Sequence, residues 1–106
     1  MIDSKEIQIN KKSVKLTDQE TENIHELATQ YYEKIKRMIK NQIKLIINIK
    51  TYHTQGKRKK YSINTQIKSA INFESDASEW DLTKTMHEAM KKIISEIEHQ
   101  LHVSDK

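Results

Sequence analysis

Residues 42–68 read QIKLIINIKTYHTQGKRKKYSINTQIK, and two alternating runs flank a turn within them. Ile43, Leu45, Ile47, Ile49 and Thr51 share one face of an extended segment, and Lys44, Ile46, Asn48, Lys50 and Tyr52 share the other. Side chains alternate between faces in a strand, so the spacing predicts a strand over 42–53 with one buried and one mainly polar face. Thr54-Gln-Gly56-Lys57 holds the only glycine of the chain, where a hairpin has to turn. A second strand, about 58–68, puts Tyr61, Ile63, Thr65 and Ile67 on one face and Ser62, Asn64, Gln66 and Lys68 on the other. Tyr52 and Tyr61 are expected to face each other across this hairpin.

Upstream, Thr17-Asp-Gln-Glu20 is a capping-box pattern. Ile24, Leu27, Ala28, Tyr31, Ile35, Met38 and Ile39 follow at spacings of three and four, which predicts an amphipathic helix over about 18–40. Its acids (Asp18, Glu20, Glu22) come early and its bases (Lys34, Lys36, Arg37, Lys40) late, as the helix dipole favours. Before it, KEIQIN at 5–10 alternates like a short strand. Downstream, a turn near Ser69-Ala70 leads to a third long strand with Ile71, Phe73, Ser75 and Ala77 inward. Ser78-Glu-Trp-Asp81 resembles a second capping box, opening a helix that carries Leu82, Met86, Ala89, Met90, Ile93, Ile94, Ile97 and Leu101. The order is β-α-β-β-β-α. A right-handed crossover makes the first strand pair parallel, and the last three strands form an antiparallel meander. The expected class is α+β, with two layers: a four-stranded mixed sheet and both helices on one face. Residues 1–106 are expected to form a single domain, with tails 1–4 and 103–106 frayed.

Charge is distributed in blocks. Between Glu33 and Lys60 lie ten Lys/Arg and one acid, whereas 71–106 holds eight acids against four lysines. On a chain of net charge +4, such polarity favours a polyanion at one part of the surface. The chain has no cysteine, one glycine and no proline. That argues against a disulfide framework, a thiolate nucleophile or a glycine-rich phosphate loop. No apolar run approaches the roughly 18 residues of a spanning helix, and no signal-peptide pattern opens the chain. The expectations are a cytoplasmic protein that is not an enzyme and has no cofactor, membrane partner or small-molecule substrate.

Tyr61-Ser-Ile-Asn-Thr-Gln-Ile67, Phe73-Glu-Ser-Asp-Ala77 and Glu79-Trp-Asp-Leu82, with the helix to Leu101, resemble the ribosome hibernation-promoting factors, also called ribosome-associated translation inhibitors. The resemblance spans about residues 5–102 in element order, lengths and hairpin placement, and Lys92 falls at the family's basic position in the last helix. It implies a factor that binds the small ribosomal subunit and its rRNA. Such a factor occupies the channel for messenger and transfer RNA and silences or protects ribosomes under stress without catalysis. Relatives often carry further bases after the Lys92 position, where this chain has Ser95, Glu96 and Glu98. It resembles the short form, without the carboxy-terminal module that pairs ribosomes in longer relatives.

The candidate RNA-binding residues are Lys34, Lys36, Arg37 and Lys40 on the first helix, Lys57, Arg58, Lys59 and Lys60 at the hairpin, and Lys84, Lys91 and Lys92 on the last helix. They are expected to converge into one electropositive cleft that holds phosphates. Trp80 reads as a packing anchor at the helix start, which leaves Tyr52 as the lone aromatic candidate for base stacking. His99 and His102 beside Glu98 lack a third ligand in reach, so no metal site is expected. Two other readings fit the same pattern. One is a double-stranded RNA-binding module, whose lysine cluster at the last helix is here replaced by Glu79 and Asp81. The other is a protein-interaction domain that forms a weak homodimer through a strand edge, with the charge serving solubility.

Overall fold

The computed structural model describes residues 6–11, 14–53 and 59–101. The tails, and the turn expected at Thr54–Lys57, lie outside the described residues. The elements are β1 (Ile7–Lys11), α1 (Asp18–Ile39), β2 (Lys44–His53), β3 (Lys59–Lys68), β4 (Phe73–Glu79) and α2 (Leu82–Leu101). They form a four-stranded sheet in the order β1-β2-β3-β4. β1 pairs with β2 in parallel, and the other two pairings are antiparallel. This is the expected mixed sheet.

Alternation places the core. Leu45, Ile47 and Ile49 of β2, Ile63 and Ile67 of β3, and Phe73 and Ala77 of β4 are all buried on the odd-numbered face. Against them pack Ile24, Ala28, Tyr32 and Ile35 of α1 and Met86, Met90, Ile93 and Ile97 of α2. Both helices therefore cover one face. The helices run parallel to each other. Glu20 and Asn23 border a hollow with Trp80 and Thr83, Tyr31 meets His87 midway, and Arg37 and Met38 border a hollow with Glu98.

The first capping box forms as expected. Glu20 N–H donates to Thr17 Oγ1 at 3.0 Å, and Thr17 N–H donates to Glu20 Oε1 at 2.9 Å. The second does not. β4 stays extended through Glu79, so Ser78 cannot serve as a cap. Asp81 takes that role: Lys84 N–H donates to its carboxylate at 2.8 Å and Thr85 N–H to its carbonyl at 2.9 Å. Ile71 is not in the core but 50% exposed, because β4 begins at Phe73 and leaves Ile71 in the turn. Tyr52 and Tyr61 do not face each other either. The register sets Tyr52 opposite Lys60 and Thr51 opposite Tyr61, which puts the two tyrosines on opposite faces.

Tyr32 was absent from the apolar set predicted by spacing, yet it is buried. Its hydroxyl donates to the Glu6 carboxylate and ties the start of β1 to α1. Burial, and then the bond to Glu6, raise the Tyr32 pKa well above that of a free phenol. A raised folded-state pKa stabilises the fold fully below the unfolded value of about 10, and this is lost as pH climbs toward the folded value. Stability of the native protein should therefore fall above about pH 10. Tyr32→Phe should flatten that decline in denaturant titrations followed across alkaline pH.

Candidate nucleic-acid interface

The sheet and the parallel helices divide the predicted cations into separate groups. Lys34, Arg37 and Lys40 border one hollow with Met38 and Glu98, at the C-terminal end of α1. Lys40 is the C-cap, with a left-handed backbone (φ 58, ψ 41) that carries its side chain off the end of the helix. With Tyr31 opposite His87, the parallel run brings Lys34 and Arg37 level with the stretch of α2 around Lys91. Lys84, two turns earlier, lies about 10 Å back along the same exposed side of α2. All five of these cations are exposed. Among the described residues, no salt bridge ties them to a carboxylate.

The other candidates point elsewhere. The Lys36 ammonium stands 5.8 Å from the Tyr32 ring, on the flank of α1 that faces β1. Lys92 turns to the opposite flank, where Nζ donates to the Asp76 carbonyl of edge strand β4 at 3.0 Å. There it occupies a backbone carbonyl of β4, one of the two edge strands of the sheet. Lys59 and Lys60 lie at the hairpin end, near the helix N-termini: Lys60 Nζ is 5.5 Å from the Trp80 ring and Lys59 Nζ 5.9 Å from the Tyr61 ring. Some 17 residues of α1 separate that level from Arg37, roughly 25 Å along the helix. Lys57 and Arg58 lie outside the described residues. The chain thus forms a basic ridge along the paired helices, and the single cleft expected from sequence is split among several faces.

His87 is half-buried between the helices. Its Nδ1 lies 2.8 Å from the Tyr31 hydroxyl, and the two rings meet edge to face at 5.8 Å. This contact fixes one helix against the other beneath the ridge. Asp81 adds negative charge where a duplex-binding module would need lysines, and its carboxylate is engaged as the α2 cap. Among the described residues, no group of three or more His, Cys, Asp or Glu gathers as a metal site, and no helix is long and apolar enough to cross a membrane. His102 lies outside the described residues.

Two features escaped sequence reading, the first on the uncovered sheet face. Asn10, Asn48, Asn64 and Asp76 are paired in register across all four strands. Asn10 Nδ2 donates to Asn48 at 2.7 Å, Asn48 Nδ2 to Asn64 at 3.1 Å, and Asn64 Nδ2 to Asp76 at 2.9 Å and Glu74 at 2.8 Å. Three asparagines on polar faces were visible in the sequence, but their mutual alignment required the register. The second feature is Trp80, which borders a hollow with Glu20 and Asn23 of α1 yet is 42% exposed.

The fold is shared with solved structures. A ribosomal subunit interface protein from Coxiella burnetii superposes with a TM-score of 0.59 at 16% identity, covering 91% of this chain and 97% of its own. The N-terminal domain of Protein Y from Thermus thermophilus superposes with a TM-score of 0.60 at 10% identity, covering 87% of this chain and 93% of its own. At these identities the likeness is one of fold. No family model and no curated protein matches the sequence.

Proposed function

We propose that this protein is a ribosome-binding translation inhibitor that lodges in the messenger- and transfer-RNA channel of the small subunit. The observation that carries this reading is the unpaired basic ridge of Lys34, Arg37, Lys40, Lys84 and Lys91, borne on a fold shared end to end with a ribosomal subunit interface protein. Lysine and arginine on a rigid pair of helices hold phosphates without reading sequence. Filling the channel blocks its substrates, so inhibition needs no bond-making chemistry and no cofactor. The protein acts in the cytoplasm, where ribosomes are.

The test is co-sedimentation with purified small subunits in competition with two RNAs. Messenger RNA bound with its transfer RNA should displace the protein, and free duplex RNA should not. Affinity should fall steeply with salt, by a log–log slope of roughly one per phosphate held. Displacement by duplex RNA alone would favour a general duplex-binding module, and failure to pellet at low salt would reject the reading.

A further inference from the structure

We propose that the hairpin end of the sheet is a stacking site for unpaired RNA bases, built from Tyr52 and Lys60 on the uncovered face and Trp80 just beyond the end of β4. Among the described residues, the exposed large hydrophobic side chains are Tyr52 (52%), Ile71 (50%) and Trp80 (42%). Ile71 lies in the turn before β4, at the far end of β3 from Lys60. The other two are joined through one cation. Tyr52 is directly opposite Lys60 in the β2–β3 register, and Lys60 Nζ stands 5.5 Å from the Trp80 ring centroid. Lys60 thus links the exposed ring on β2 to the ring that follows the end of β4. A base can stack on the Tyr52 ring with its phosphate over the ammonium that joins Tyr52 to Trp80.

The surroundings favour a nucleic acid over a protein. Lys50, exposed and two residues from Tyr52 on the same face, adds a second cation. The adjoining surface consists of Ser62 and the Asn48–Asn64 ladder and is polar, whereas the core of a protein-docking patch is apolar. Two of the carboxylates around Trp80 are engaged. Asp81 caps α2, and Glu20 closes the capping box of α1 while bordering the same hollow as Trp80. Aromatic faces flanked by cations hold single strands through stacking plus backbone charge, largely without regard to sequence. The site is at the hairpin end, away from the ridge cations at the C-terminal end of α1, and does not depend on the ribosomal reading.

Trp80 is the only tryptophan, so its emission reports the site directly. Titration with a short single-stranded oligoadenylate should quench it, and a blunt duplex of equal length should not. Tyr52→Ala should weaken single-strand binding about 5- to 150-fold at unchanged salt slope. Lys60→Gln should instead lower the slope by about 0.7. Unchanged Trp80 emission, or wild-type affinity in Tyr52→Ala, would overturn the site. Running the same variants in the small-subunit pelleting assay separates the two readings, since loss of stacking leaves the helix ridge intact.

Discussion

A variant with Lys34→Glu, Arg37→Glu and Lys91→Glu is expected to stop pelleting with small ribosomal subunits. Each reversal replaces an attraction to phosphate with a repulsion. At contact distance in water a pair of unit charges is worth about 1 kcal/mol, so each site swings by about 2 kcal/mol before screening. Salt at physiological strength screens beyond about 8 Å, which trims the sum and leaves a loss of at least about 100-fold. The three positions are exposed, so the fold should survive, and an unchanged melting temperature would show that it has. Reversals at Lys36 and Lys92, which turn to the two outer flanks, provide the contrast and should each cost far less. Wild-type pelleting by the triple variant would remove the helix ridge from the mechanism.

The second large effect is on stability. Ile63 is fully buried at the centre of β3, with Ile49 and Ala77 beside it in the neighbouring strands. Ile63→Ala removes three carbons from a site walled by two strands and the helices, where the cavity can close only in part. The expected loss is about 2–5 kcal/mol. For a domain of this size that lowers the melting temperature by tens of degrees, at about 4–8 °C per kcal/mol. Ile71→Ala removes the same atoms from a half-exposed turn and should change stability by less than about 0.5 kcal/mol. Similar losses at the two positions in denaturant titrations would contradict the strand boundary drawn at Phe73.

Much of this was legible in the chain because alternation and helical spacing are local. Ile43 to Ile49 and Tyr61 to Ile67 announced two strands and the face each buries, and Thr17 and Glu20 announced where α1 starts. The misreadings share a cause. Tyr32 joins the core only because Glu6, in the segment leading into β1, offers its hydroxyl a partner. Trp80 faces outward because β4 runs further than its composition suggests and hands the helix cap to Asp81. The basic block read as one surface because proximity in sequence stood in for proximity in space. Lys36 and Arg37 are adjacent residues, yet a helix turns by about 100° between neighbours and sends them to different sides. Lys59 and Lys60 lie a helix-length away from both.

The amide ladder across the uncovered face has a consequence for how the strands find their partners. Alternation of apolar and polar side chains penalises a strand that slips by one place, since every buried residue would then face water. A slip of two places keeps inside and outside unchanged, and hydrophobicity alone does not forbid it. Here such a frame error between β2 and β3 would set Asn48 against Ser62 or Gln66 and Asn64 against Lys50 or Ile46, breaking the chain of amide bonds at its central link. The asparagines thus act as an indexing mark on the sheet, distinguishing alignments that the greasy face alone treats as equivalent.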